Sequence, residues 1–353
     1  MEENKDLNAL NEKIENEENL VINKKTSTKS KLMIFICFIT IMTLSVIGII
    51  IAFTINRDQT KEEEKKNNDD DTSQYELDTI PPDELKKARE SFKQFNFTKD
   101  SKFIDYNLYI PENINENENY PLIVFISDEF LIGNEITTPL TKSVGGPIWA
   151  TETVQKKHKC YVLVPQYNED IITKEIKIEY INLTIDLIKE IQSNYSIDKN
   201  KIYGTGQSMG AMATLYLLSN HSHLYTAGLI VDGYWNIDEL HGLVNSTFTY
   251  FAAEGDPDAF NGQNKLKEYF DLNNIIYSNM SHVNAQENVT ILNEEAFEMY
   301  KKGSNKNFIT YAKGTVIKHG SNDQDEHKAS FKYGYRIETV RDWLFNQTKS
   351  ISE

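Results

Sequence analysis

The side chains with most chemical promise gather around Ser208. It lies in Gly206-Gln207-Ser208-Met209-Gly210, inside the run Lys201–Ala211. G-x-S-x-G turns so sharply that residues without side chains are needed two positions either side of the serine, and the turn lifts the hydroxyl clear of a sheet edge. Glycine-flanked serines also occur in ordinary tight turns, so the flanking elements carry the argument. Upstream, Lys201–Gly204 suits a short strand. Downstream, Met209, Met212, Leu215 and Leu218 recur at helical spacing, with Ala211 and Leu217 adding a second apolar side. Strand, sharp turn and buried helix form the setting of a nucleophilic serine.

A serine hydroxyl near neutral pH is a poor nucleophile. It needs a base, which in turn needs an orienting carboxylate. Of seven histidines, only His319 and His327 follow the last expected core strand. His327 leads into the closing helix, whereas His319 sits beside Gly320 and reads as a loop residue. Asp323, Asp325 and Glu326 crowd His327, and nearby carboxylates favour its protonated form. For the acid, Asp256 and Asp258 both lie on the loop after the strand-like TYFAAEG. The competing reading of Asp256-Pro257 is an ordinary turn.

These residues need a scaffold, and the chain has one. Phe103–Ile110 alternates aromatic and polar residues, as an antiparallel strand does. LIVFIS after Tyr120-Pro121 and YVLV after Cys160 are continuous apolar runs, which expects a sheet covered on both faces. Lys177–Ile191 is helical in period. Ala227–Val231, Phe248–Ala253 and Phe308–Tyr311 read as strands, Leu266–Leu272 as a helix, and Ile337, Val340, Trp343 and Leu344 as an amphipathic closing helix. Strands alternating with helices imply a three-layer α/β domain with a mainly parallel sheet, placed at 99–353.

Ahead of it, residues 1–31 are polar and aperiodic and are expected to be disordered. Leu32–Ile55 contains no charged residue and is long enough to cross about 30 Å of hydrocarbon, so it reads as a transmembrane signal-anchor helix. Lys24, Lys25, Lys29 and Lys31 before it favour a cytoplasmic amino terminus with the catalytic domain outside the cell. Residues 56–98, with KEEEKKNNDDD among them, read as a charged stalk, and Asp83–Phe95 as a short helix within it. A net charge of -16 argues against nucleic-acid binding. Two cysteines, Cys37 and Cys160, exclude a disulfide framework, and Cys160 reads as a small buried residue.

YGTGQSMGAMATL around the serine, AAEGDPDAF around the acid and EHKASFKYGYRIETVRDWLF around the histidine together resemble the α/β-hydrolase superfamily. The likeness is to its prolyl-oligopeptidase-like predicted peptidases and its polyhydroxybutyrate-depolymerase and feruloyl-esterase-like enzymes, and it covers roughly 103–345. It implies Ser208 as nucleophile, His327 as general base and acid, Asp256 as orienter, and no metal or organic cofactor. The order serine, acid, histidine is the family's. One departure stands out. Where the family has a His-Gly or similar small-residue sequence after the third strand, this chain has Ser127, Asp128, Glu129 and Phe130. Met209 can still offer its N–H to an oxyanion, but the second donor falls to Asp128 or Glu129, whose charge is an odd neighbour there. Tyr234 and Trp235, at a strand end, are candidate substrate-binding residues, with core packing as the competing reading for both and for Trp149. The expectation is a membrane-anchored serine esterase acting on a small ester. A peptidase, and a binding protein that has lost turnover, are the rivals.

Overall fold

The computed structural model describes residues 77–115, 117–317 and 325–349. The expected tail, the segment 32–55, the first part of the stalk, and His319 and Asp323 lie outside them. Among the described residues no helix is long and apolar enough to cross a membrane.

Nine strands form one sheet: β1 (Lys93–Lys99), β2 (Lys102–Tyr109), β3 (Tyr120–Ile126), β4 (Tyr161–Gln166), β5 (Ile197–Gln207), β6 (Ala227–Val231), β7 (Phe248–Ala253), β8 (Ser278–Val283) and β9 (Lys306–Tyr311). Their spatial order is β1-β2-β4-β3-β5-β6-β7-β9-β8. β2 runs antiparallel to β1 and β4; every other pair is parallel.

The helices are α1 (Pro82–Glu90), α2 (Thr138–Thr141), α3 (Glu152–Lys157), α4 (Ile178–Asn194), α5 (Met209–Asn220), α6 (Pro257–Leu272), α7 (Val289–Tyr300), α8 (Glu326–Ser330) and α9 (Glu338–Phe345). They fall on the two faces of the sheet. Along β3, Leu122, Val124 and Ile126 join one core with α4, α5 and α6, while Ile123 and Phe125 join the other with α1, α7 and α9. Successive strand residues face opposite ways, so a strand covered on both sides must be apolar throughout, as LIVFI is. Trp149 lies wholly in the second core, edge-on to Tyr335 and Phe345. Cys160 is buried and free, and burial pushes its thiol up to about 12.

The folded body begins earlier than residue 99. β1 pairs with β2 along its length, Leu77, Ile80, Leu85, Ala88 and Phe92 are buried, and Arg336 grips the Asp78 carboxylate with two guanidinium nitrogens. Charge in the flanking sequence hides this segment, because its apolar residues are sparse and each lands in a different niche. α1 also ends at Glu90, five residues before the expected Phe95, because the chain turns there into β1.

Candidate active site

The carboxyl ends of β3, β5, β6, β7 and β9 share one edge of the sheet, with Ile126 opposite Gly206, Gln207 opposite Val231, Val231 opposite Phe251, and Ala253 opposite Tyr311. Each strand delivers its next residues to that edge, where open α/β sheets bind ligands.

Ser208 occupies the link from β5 to α5 with φ 51° and ψ -118°, a region that side chains seldom enter. The flanking glycines permit it. A Cβ on Gly206 would come within 2.4 Å of the Gly210 carbonyl, and one on Gly210 within 1.8 Å of the Ile126 oxygen. The Ser208 N–H donates to the Val231 carbonyl at 3.1 Å, tying the turn to β6.

His327, from α8, bridges the other two groups: its Nε2 lies 2.9 Å from Ser208 Oγ and its Nδ1 2.5 Å from Asp256 Oδ2. Asp256 is buried. Its Oδ1 accepts the N–H groups of Asp258 and Ala259, so it also caps α6. Asp258 supplies that backbone group alone and holds its side chain in solvent. Burial by itself would lower the basicity of His327. The Asp256 hydrogen bond and charge, with Asp232 and Asp325 behind them, outweigh burial and hold the imidazole above its ordinary 6.5. Chemically, the imidazole can take the Ser208 proton while Asp256 fixes its tautomer.

The Asp128 carboxyl is not turned loose on this site. Its Oδ1 accepts the Phe130 N–H at 3.2 Å and its Oδ2 accepts from Gln207 Nε2 at 2.7 Å. Burial raises its pKa against the pull of Gln207. Both carboxyl oxygens are thus held by hydrogen bonds within the protein. Met209 opens α5, where the first amides have no intrahelical partner. Glu129 holds its side chain in solvent.

Tyr234 is exposed and within electrostatic reach of Asp258, Asp256 and Glu129, at the rim of the site. Trp235 is not aimed at it: the indole N–H donates to Glu239 at 3.1 Å and the ring packs against the core. Next to Ser208, Gln207 helps line a pocket of about 130 Å³ with Asp128, Phe130, Leu131, Ser143 and Phe331. Among the described residues no group of His, Cys, Asp and Glu could hold a metal ion.

The sequence model of the prolyl oligopeptidase family matches residues 166–350, more than half of the chain, and spans Ser208, Asp256 and His327. The chain belongs to the prolyl oligopeptidase family. The Asp128 loop lies ahead of the matched span, so the unusual part of this family member is also the part the family model does not reach. No curated protein matches the sequence. Among solved structures, a thermostable esterase superposes with a TM-score of 0.58 at 22% identity over 74% of this chain, which spans 64% of the esterase's length. Another, named FAE, superposes with a TM-score of 0.52 at 14% identity over 77% of this chain and 94% of its own. What this prolyl oligopeptidase family member shares with both at such identities is the α/β-hydrolase fold with its mostly parallel sheet.

Four residues near the site have contacts that the sequence reading did not assign. Gln207 tethers Asp128. Glu326, beside His327, is buried, and its Oε1 accepts the Gly314 N–H at 3.0 Å. Ser330 donates to the His327 carbonyl at 2.7 Å. Asp232 is fully buried at the end of β6. The trace of Asp232 in sequence is a charge abutting the apolar run AGLIV, at the strand end next to Ser208's own strand.

Proposed function

We propose that this protein is a serine hydrolase that cleaves carboxylic esters by way of an acyl-enzyme on Ser208. In this reading Ser208 attacks the carbonyl carbon, His327 takes the hydroxyl proton and returns it to the leaving alcohol, and water then releases the acyl group by the same route. Met209 and the Asp128–Glu129 loop offer backbone donors to the oxyanion, and Tyr234 stands at the rim for substrate contact. The observation that carries the proposal is His327 lying within hydrogen-bond reach of both Ser208 and Asp256. A small ester is preferred because the pocket of about 130 Å³ lined by Gln207 and Lys328, the chain neighbours of Ser208 and His327, suits a short acyl or alkoxy group. Family membership favours a second reading, a peptidase, which uses the same three residues on an amide. The uncharged run 32–55 supports a membrane-anchored form with the hydrolase domain outside the cell.

The test is turnover of short p-nitrophenyl esters, and of matched aminoacyl p-nitroanilides, by the full chain. Fluorophosphonate labelling, mapped by peptide mass spectrometry, accompanies it. Ester turnover with labelling at Ser208, both abolished in Ser208→Ala and turnover abolished in His327→Ala, is the expected result. Faster anilide turnover would make it a peptidase, and equal rates in wild type and both variants would sink the mechanism.

A further inference from the structure

We propose that Asp232 is a positioning residue for this reaction: a second carboxyl, behind the Asp256–His327 pair, whose negative charge steadies the imidazolium formed as Ser208 loses its proton. The inference rests on the roles given above to Ser208 and His327.

Asp232 closes β6, the strand between the one that carries Ser208 and the one that leads to Asp256. It holds φ 43°, a left-handed conformation that residues with side chains rarely adopt, and is completely buried. Its N–H donates to the Phe251 carbonyl at 3.0 Å, and its Oδ1 accepts the Ala253 N–H at 2.8 Å. The carboxyl is thus fixed over the end of β7, three residues before Asp256. Its Oδ2 is buried with no hydrogen-bond partner among the described residues. An unpartnered buried carboxyl oxygen is costly, and the end of a strand needs no such group to fold.

The neighbours decide what the charge can serve. Asp256 faces Asp232 from the start of α6 and His327 from α8, with the Ser330 hydroxyl beside it. Tyr250 of β7 and Tyr311 of β9 face it from the sheet. His327 also feels Asp325 on its own segment and Asp128 across the site. Within this set the imidazole is the group that becomes a cation during the reaction, so an ionised Asp232 finds its compensation there. Burial, then the Asp256 charge, push the Asp232 carboxyl up to about 7, while Ser330, His327 and the Ala253 N–H pull it back. Asp232 and His327 thus each favour the charged form of the other. A bystander that merely ends β7 would do as well as an asparagine, whose side-chain oxygen can accept the same Ala253 N–H. The charge is what separates the two roles.

The decisive experiment is a histidine ¹⁵N NMR titration of the full chain, wild type against Asp232→Asn, with the His327 signal identified by its loss in His327→Gln. The expected result is a His327 midpoint lower by roughly half a unit or more in Asp232→Asn, matched by a downward move of the acidic limb of Ser208 fluorophosphonate labelling. A folded Asp232→Asn with an unchanged midpoint and limb would overturn the proposal. Should that variant not fold, Asp232→Ser carries the test: it keeps an oxygen that can accept the Ala253 N–H but carries no charge, so the same fall supports the role and no change overturns it. Wild type that never labels at Ser208 would refute the hydrolase reading and this inference with it, whereas labelling without a shift refutes the inference alone.

Discussion

At the scale of single residues, one carboxyl holds two structures together. Asp256 orients His327 through Oδ2 and starts α6 through Oδ1. Asparagine can still accept the two capping N–H groups, but it can present an N–H to Nδ1 and so favours the wrong imidazole tautomer. Asp256→Asn is therefore expected to lose roughly 10³- to 10⁴-fold in kcat, by analogy with the same exchange in other triads, with little change in Tm. The pH profile has a definite sign. Carboxylates raise the proton affinity of His327 in the folded protein. The protonated form cannot accept the serine proton, so activity falls as pH drops through a value above 6.5. The matching stability gain is present at low pH and fades as pH rises through that raised value. In Asp256→Asn the acidic limb of residual kcat/KM moves to lower pH.

At the scale of elements, α8 has only five residues and cannot place a histidine by its own rigidity. Its placement comes from neighbours. Glu326 fastens its first residue to Gly314 beyond β9, and Gly255, on the Asp256 loop, leaves room for that carboxyl, since a Cβ there would lie 1.8 Å from Glu326 Cδ. Gly255→Ala should displace Glu326 and with it His327, lowering kcat by about tenfold or more while KM changes little. If the clash with Glu326 is the cause, adding Gly255→Ala to Glu326→Ala costs much less than it does in wild type, a non-additivity that a double-mutant cycle on kcat measures.

At the scale of the whole molecule, the sheet order makes the site: residues separated by more than a hundred positions in sequence meet because β5, β6, β7 and β9 are neighbours. The same scale sets the folding boundary. A chain starting at residue 99 lacks Leu77, Ile80, Leu85 and Phe92. Their burial is worth roughly 1.5–3 kcal/mol each, against a typical total stability of about 5–15 kcal/mol. Such a chain is expected to aggregate or melt far below one that starts at residue 77, as differential scanning fluorimetry would reveal.

Local sequence was enough for features whose causes are local. The G-x-S-x-G turn with its strand and helix announces Ser208 because a Cβ at either flanking glycine would clash with backbone, and LIVFI announces a strand buried on both faces because period two leaves no polar position. Ser208 and Asp256 were legible because each stands just past an apolar strand, whereas His327 was legible from its place ahead of the closing helix and from the family's order of serine, acid and histidine. What the sequence left open depends on contacts between distant segments. Asp128 looked like a liability until Gln207 was found holding its carboxyl. Trp235 and Tyr234 are adjacent in sequence yet differ in use, since one indole N–H finds Glu239. β8 and the segment 77–99 carry too few apolar residues to declare themselves, and Asp232 gains its significance only from what β7, β9 and α8 bring around it. Charge compensation in a buried site is decided across the fold, and only the tertiary structure specifies which groups share it.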